Sequence, residues 1–300
     1  MGWQDAHESR GEPKGLARSS EASWVGVGVG GRRAERTLPG FPGELGEADV
    51  KGIQLKSAAQ IAKLREANLV VAEVLDVLAA AAAPGVSTWE LDQLAARHLK
   101  HLRAESAFLG YRGYPAVLCA SVNNVIVHGI PRKDVVLKQG DILSLDFGAF
   151  KDGWCGDSAR TLEIGPVSPQ AHALVDATRE ALDKAIAQCV LGRRLGDASW
   201  AVQSHVEARG FSVVRQFAGH GIGRHMHEPP QVPNYGEAGK GPRLAPGMVF
   251  AVEPMVNQGG PDVVIEEDGW TAVTKDGSLS AHFEHSVAIT ENGPMVLSRA

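Results

Sequence analysis

The chain has 300 residues, a formal net charge of −5 at pH 7, 44% apolar and 22% charged residues. This balance excludes a strongly basic protein built to read nucleic acid and leaves enough apolar side chains for a buried core. No apolar run approaches the roughly 18 residues typical of a membrane span, so no membrane partner is expected. Cys119, Cys155 and Cys189 are far apart, which excludes a disulfide framework and favours a reducing, cytoplasmic location.

The first 50 residues differ from the rest. They are rich in glycine and poor in large aliphatic residues, and no helical or strand periodicity persists in them. Such a segment buries too little apolar surface to offset the entropy cost of ordering. Residues 26–31 match GxGxxG, but no strand precedes them and no amphipathic helix follows, so a dinucleotide site is not indicated. We predict a disordered extension over 1–50 and one folded domain over 51–300.

Two capping boxes predict the first two helices of the folded domain. Ser57 and Gln60 have the required spacing, and apolar residues then recur on one helical face until Pro84. Ser87 and Glu90 repeat the pattern before a second amphipathic stretch.

Strands are predicted next. Residues 115–127 are rich in valine, and residues 141–150 form a largely apolar run. A turn at Asp152-Gly153 then returns the chain through residues 154–164, which predicts an antiparallel hairpin.

The second half follows the same plan. Ser168-Pro169 predicts the start of a third helix, and Asp197 is expected to cap a fourth that ends at Gly210. Leu137–Asp146 also aligns with Leu244–Glu253 at an offset of 107, with a leucine, a glycine, three apolar positions and a final carboxylate in common. We therefore predict an α+β fold of two related halves. Further strands are expected near residues 211–218, 247–256, 262–274 and 281–290.

Four carboxylates lie in or at the ends of otherwise apolar strands. Asp146 and Asp157 occupy the two arms of the predicted hairpin, and strand pairing puts them on one face, directly opposite or one diagonal step apart. Glu253 ends an apolar strand before Pro254, and Glu284 lies in another. Each alone is typical of an exposed or paired side chain. Four together in a core would repel one another unless protons or cations lie between them.

Three histidines add nitrogen donors. His220 lies between glycines that let a ligand approach closely, His227 follows seven residues later, and His128 ends a strand. Any one of them alone is more often a surface or hydrogen-bonded histidine. Together with the four carboxylates, one imidazole completes an oxygen-rich set that suits Mn, Fe, Co or Zn. More than four ligands favour two metal ions roughly 3.5–4 Å apart, an arrangement that hydrolases use.

These residues match the motifs of a known family. Residues 52–300 resemble the type I methionine aminopeptidases, which implies a pita-bread fold: two pseudo-symmetric halves with a central curved antiparallel sheet covered by helices. Residues 51–300 would then be the catalytic domain. The implied activity is removal of N-terminal methionine from nascent polypeptides with a small second residue, by a cytoplasmic monomer in transient contact with the ribosome. The matching motifs are Val127–Pro131, Leu145-Asp146, Gly156-Asp157, Gly219–Gly223, Glu253–Met255 and Phe283–His285.

The resemblance also implies a role for each site residue. Asp157 and Glu284 would bridge two divalent ions, of Co, Mn, Fe, Zn or Ni. Glu253 would take a proton from the attacking water. His227 would contact the scissile carbonyl, and His128 the amide beyond it. The implied metal ligands are Asp146, Asp157, His220, Glu253 and Glu284.

The family further implies a methionine pocket and a monovalent-cation site. The pocket residues would be Tyr114, Cys119, Met226 and Trp270, although core packing explains them equally well. The monovalent cation would lie near backbone carbonyls of Asn123, Val125 and Ser280. The chain departs from the family pattern at Phe108, Arg112, Cys155 and Phe147-Gly148. Because none of these is a metal ligand, they bear on pocket shape and rate more than on reaction class.

Two other functions remain open at this point. One is an Xaa-Pro peptidase or creatinase-like hydrolase of the same fold, which usually carries a folded N-terminal domain that residues 1–50 cannot supply. The other is a non-catalytic relative that binds the ribosome. Loss of metal ligands would favour it, whereas all five positions hold suitable side chains.

Overall fold

Four helices are present within residues 52–299, the part of the chain described by the computed structural model. They are α1 (Ala58–Ala81), α2 (Thr88–His101), α3 (Pro169–Gln188) and α4 (Leu195–Glu207). The extension predicted over residues 1–50 lies outside the described part. None of the described helices is both long and apolar enough to cross a membrane.

The helix starts follow the predicted caps, with one correction. Ser57 and Ser87 each accept a hydrogen bond from the backbone of the residue three positions on, and both capping boxes are complete. Asp197 does not cap α4. Arg194 occupies the cap position, and an Asp197 carboxylate oxygen accepts its backbone N–H at 2.8 Å, which is the second half of a capping box. The helix also ends at Glu207, before the predicted stop at Gly210.

The described strands are β1 (Glu105–Ser106), β2 (Cys119–Val122), β3 (Val125–Val127), β4 (Ile142–Lys151), β5 (Trp154–Glu163), β6 (Ser212–Val213), β7 (Ala218–Gly221), β8 (Glu228–Pro233), β9 (Val249–Val252), β10 (Met255–Asn257), β11 (Val263–Ile265), β12 (Ala272–Thr274), β13 (Ser280–His282), β14 (Glu284–Thr290) and β15 (Gly293–Val296). Most of them belong to one nine-stranded sheet, with the order β1-β4-β5-β14-β9-β7-β8, β2 pairing with β4 and β15 with β14. Two three-stranded sheets, β13-β10-β6 and β11-β12-β3, complete the α+β architecture expected from the sequence.

Several predicted strands are divided in two. The chain turns at Asn123, whose φ is 56°, so the stretch 115–127 yields β2 and β3. Pro254 separates β9 from β10, because it has no N–H to contribute to a strand ladder. β8 was not predicted, since its prolines read as a loop. It lies at one end of the sheet order, where proline is tolerated.

The two halves are related at the offset of 107 found in the sequence. Ser87 bridges Val136 at the start of α2, and Arg194 bridges Arg243 at the start of α4. Each residue of the second pair is the first plus 107. Gly140 and Gly247, which precede β4 and β9, likewise share a left-handed φ of 94° and 89°. The repeat therefore extends from the sequence to the backbone, and it places Asp146 and Glu253 at equivalent points.

Each half has its own core between helices and sheet. α1 packs on β4 and β5, and its buried face joins α2 in a cluster with Leu143, Leu145 and Phe147. α3 and α4 pack on each other, and their apolar faces form a second cluster with Phe250 and Val252 of β9. The helices thus fix the central strands from which the site residues project.

A buried ion pair fastens the segment before α1 to the first residue of β8. Lys56 Nζ donates to Glu228 Oε2 at 2.6 Å, and the two side chains are 4% and 5% exposed. The other oxygen of Glu228 accepts the backbone N–H of His225 at 3.1 Å. Lys56 also donates its backbone N–H to the carbonyl of Gly247 at 2.7 Å. These contacts hold the loop that carries His227.

Lys56→Ala is expected to destabilise the protein by about 3–5 kcal/mol, because it leaves the Glu228 carboxylate buried without its partner. Urea unfolding of the full chain measures this difference. Lys63→Ala is the matched control, since its pair with Glu66 is half exposed and such pairs contribute at most about 1 kcal/mol. Equal losses in the two variants would contradict the structural role of the buried pair.

Candidate metal centre and active site

Strand register puts the four predicted carboxylates on one face of the central sheet. Asp146 of β4 lies opposite Ala159 of β5, and Glu284 of β14 lies opposite Ala159 on its other side. Asp157 pairs with Gly148, one diagonal step from Asp146. Of the two arrangements that the sequence allowed for this aspartate pair, the diagonal one is therefore present.

The second half brings the remaining donors to the same face. His285 pairs with Val252, so the next position along places Glu284 beside Glu253. Gly221 of β7 pairs with Phe250 of β9, and His220 therefore lies across from Ala251, on the same face as Glu253. Four strands, β4, β5, β14 and β7, each contribute one of these side chains, and Glu253 contributes the fifth from the position directly after β9.

The donor atoms of this cluster are close together. One ligand atom from each of Asp157, His220 and Glu284 lies within 4.8 Å of the other two, and all three residues are buried. His220 Nε2 is 3.8 Å from Asp157 Oδ2 and 3.5 Å from Glu253 Oε1. His220 Nδ1 lies 3.0 Å from the carbonyl of Gly221, to which it can donate. That bond leaves the Nε2 lone pair directed to the carboxylates.

Burial sets the protonation of the cluster. It raises the pKa of Asp146 to about 7. Burial together with the neighbouring carboxylates raises the pKa of Asp157, Glu253 and Glu284 well above the ordinary range. Burial lowers the pKa of His220 to about 4, so the imidazole is neutral at pH 7. The protein alone thus disfavours four ionised carboxylates here.

These residues fit a divalent cation. The buried oxygens Asp146 Oδ1, Asp157 Oδ1 and Glu284 Oε1 have no hydrogen-bond partner among the described residues. Unpaired buried carboxylate oxygens are costly, and a bound cation removes that cost while favouring the ionised form. Carboxylates with one neutral imidazole form a donor set suited to first-row divalent metals.

Two more histidines flank the cluster. The His227 ring lies 4.1 Å from that of His220, centroid to centroid, and stacks on Tyr111 at 5.4 Å. The Tyr111 hydroxyl is 2.9 Å from His227 Nδ1. Burial lowers the pKa of His227 to about 3, so a neutral ring that accepts from Tyr111 carries its proton on Nε2. His128 follows β3 with a φ of 60° and packs edge-on against Trp270.

Comparison with known proteins places this constellation in a family. Residues 62–291 match metallopeptidase family M24. The chain is 48% identical to a methionine aminopeptidase of Clostridium acetobutylicum over 246 residues, 82% of this chain and 98% of that protein. It superposes on the crystal structure of a methionine aminopeptidase from Thermotoga maritima with a TM-score of 0.81 at 46% identity, covering 83% of this chain and all of that one.

The chain belongs to metallopeptidase family M24, among the methionine aminopeptidases. The expected family and pita-bread fold are thereby confirmed. The Xaa-Pro dipeptidase of Bacillus anthracis is a more distant likeness, with a TM-score of 0.65, 20% identity and coverage of 83% of this chain and 62% of that one, and shares the fold alone. The Xaa-Pro alternative is therefore not favoured.

The four residues expected to line a methionine pocket belong to one apolar cluster, which adjoins the carboxylate strands. Tyr114 packs edge-on against Trp270 at 5.1 Å between ring centroids, and Cys119 lies opposite Asp146 in the register of β2 and β4. Met226 belongs to the same cluster. Tyr111, which the sequence analysis missed, packs there too. In the sequence, Tyr111 is marked by nothing more than its position three residues before Tyr114, in a glycine-containing stretch.

Two departures from the family pattern are physically linked. The Phe108 ring occupies the space beside Gly148, where an added Cβ would lie 2.6 Å from Phe108 Cε1. Phe108 also packs edge-on against Tyr114 of the pocket at 6.4 Å. Glycine at 148 thus makes room for phenylalanine at 108. Cys155 is fully buried, and its backbone N–H donates to Gly223.

Divalent metal is expected to stabilise the protein. At about 100 times its Kd, Mn²⁺ or Co²⁺ should raise the free energy of unfolding by ~2.7 kcal/mol, and a chelator should reverse the change. Asp157→Asn should lose this response yet unfold no earlier than wild type in chelator, because it removes one of the mutually repelling carboxylates. Thermal unfolding with and without metal measures both effects.

The control is Asp262→Asn, at an exposed pair with Lys275, which should respond to metal as wild type does. A full metal response in Asp157→Asn would contradict the assignment of Asp157 to the metal site.

Gly148→Ala is expected to destabilise the protein by about 1–3 kcal/mol, since the new methyl overlaps the Phe108 ring. Combining it with Phe108→Leu should cost less than the sum of the single changes, because the shorter side chain vacates that space. Urea unfolding of the three variants gives the coupling free energy. Strict additivity would show that the two positions are independent.

Proposed function

We propose that the chain removes the N-terminal methionine from nascent polypeptides whose second residue is small. The observation that carries this proposal is the constellation of five donor side chains on or directly after adjacent strands in a chain 48% identical to a methionine aminopeptidase over almost all of that protein's length. The apolar cluster beside the donors supports a methionine side chain at the first position, because its aromatic and sulfur-containing side chains suit a thioether.

Two divalent ions would be held by the cluster. Asp157 and Glu284 are central to it and are proposed to serve both ions, with Asp146 on one side and His220 and Glu253 on the other. When bound, such ions supply Lewis-acid activation of water and of the scissile amide. The mixed donor set accepts Co, Mn, Fe, Zn or Ni, and cellular supply selects among them.

The chain's own residues would move and place protons around the scissile bond. Glu253, whose side chain is 13% exposed and lies beside His220, is proposed to take a proton from the attacking water and deliver it to the leaving amine. His227, with Nδ1 engaged by Tyr111, presents its Nε2 proton as a donor to the scissile carbonyl oxygen. His128 is proposed to contact the amide of the following residue.

We further propose a monovalent-cation site, a cytoplasmic setting with transient ribosome contact, and a monomeric state. The carbonyl of Asn123 accepts the backbone N–H of Ser280 at 2.8 Å, so these residues lie together and, with Val125, would hold a monovalent cation. Nascent chains as substrates favour transient contact with the ribosome in the cytoplasm. We propose a monomer, since the site residues come from one chain.

Metal-loaded protein should release free methionine from Met-Ala-Ser and Met-Gly-Met-Met, and chelation should abolish release. Glu253→Gln should lower kcat by roughly 10²–10⁴-fold, the usual contribution of a proton-transferring side chain. Amino-acid analysis of the products measures both. The exposed Glu291→Gln serves as the matched control. Cleavage of Ala-Pro peptides with no release of methionine would favour an Xaa-Pro peptidase, and full turnover by Glu253→Gln would contradict its role.

A further inference from the structure

His282 is a buried imidazole that neither the sequence analysis nor the proposed mechanism uses. It ends β13 with 1% of its surface exposed. Neither Nδ1 nor Nε2 has a hydrogen-bond partner among the described residues. A buried polar group without a partner is unfavourable, so a histidine at this position calls for a reason beyond packing.

The backbone holds this imidazole in place. The hydroxyl of Thr161 lies 2.9 Å from both the backbone N–H and the carbonyl of His282, and it also bonds the hydroxyl of Ser144. On the other side, His282 pairs with Met255 of β10. Its main chain is thus clamped between two parts of the fold, which limits how far the ring can move.

The carboxyl group of Glu253 lies close to this ring. Its Oε1 lies 3.5 Å from His220 Nε2, and its Oε2 lies 3.9 Å from His282 Nε2. The carboxylate therefore stands between two imidazoles, one oxygen toward each. A separation of 3.9 Å is within reach of a hydrogen bond after a small side-chain adjustment, or of one bridging water.

We propose that His282 is a positioning residue for Glu253: its ring N–H binds Oε2, directly or through one water, and so leaves Oε1 directed at the metal cluster. The proposal rests on the function assigned to Glu253 above. Groups that orient metal-ligating side chains in this way typically contribute about 10–100-fold to metal affinity or activity. A histidine serving only to fill space would contribute nothing specific to Glu253.

Metal titration of the stripped full-length protein tests the proposal. His282→Leu should weaken the affinity for Mn²⁺ or Co²⁺ by about 10–100-fold and change the visible absorption of the Co²⁺ form. His282→Gln, which keeps an N–H donor, should retain affinity within a few-fold of wild type. His205→Leu on α4, remote from the cluster, controls for loss of a histidine. Wild-type affinity and spectrum in His282→Leu would overturn the proposal.

A double-mutant cycle asks whether His282 acts through Glu253. In a Glu253→Gln background, His282→Leu should have little further effect on metal affinity; an undiminished effect would overturn the proposal. Should His282→Leu fail to fold, histidine-labelled protein offers a second measurement. The ¹⁵N signals of the His282 ring should shift on Glu253→Gln, and unchanged signals would overturn the proposal. Metal binding is measured without turnover, so failure to release methionine would count against the proposed function and not against the His282 contact.

Discussion

Four carboxylates meet on one face of the central sheet, where Asp157 and Glu284 are buried and Asp146 and Glu253 are partly buried, so their mutual repulsion when ionised governs the site. Burial raises the pKa values of Asp146, Asp157, Glu253 and Glu284, and three of these residues have an oxygen with no hydrogen-bond partner among the described residues. Such a cluster is unfavourable when its carboxylates are ionised, unless a cation is bound among them. The same charge is what activates water in hydrolases that use paired metal ions. The carboxylate cluster therefore affects both the stability of the fold and its chemistry.

The geometry of the sheet brings these carboxylates together. Its pleat sends alternate side chains to one face, and its register aligns five neighbouring strands so that the donors on or directly after them meet at the centre. The two halves share this design at an offset of 107, from the bridges that start α2 and α4 to the carboxylates in β4 and directly after β9. Helices on each half then fix the strands, while Lys56 and Glu228 fix the loop that brings His227 alongside.

Much of this arrangement follows from the sequence alone because it depends on local rules. Capping boxes located α1 and α2, alternation put Asp146 and Asp157 on one face, and the repeat of Leu137–Asp146 in Leu244–Glu253 exposed the symmetry. Contacts between segments that are distant in the sequence could not be predicted from such local rules. Tyr111 and His227 are far apart in the chain, and the meeting of Phe108 with Gly148 depends on how β1 and its loop lie against β4. His282 is only two residues before Glu284, yet it ends a strand of a different sheet, a separation that strand periodicity does not reveal.

We propose that the carboxylate cluster holds two divalent ions. Anomalous diffraction from crystals of the full chain grown with Mn²⁺ can decide this. Two manganese peaks are expected roughly 3.5–4 Å apart, both within bonding distance of Asp157 and Glu284. A well-ordered crystal with no anomalous peak in the cluster, or with manganese bound only elsewhere, would contradict it.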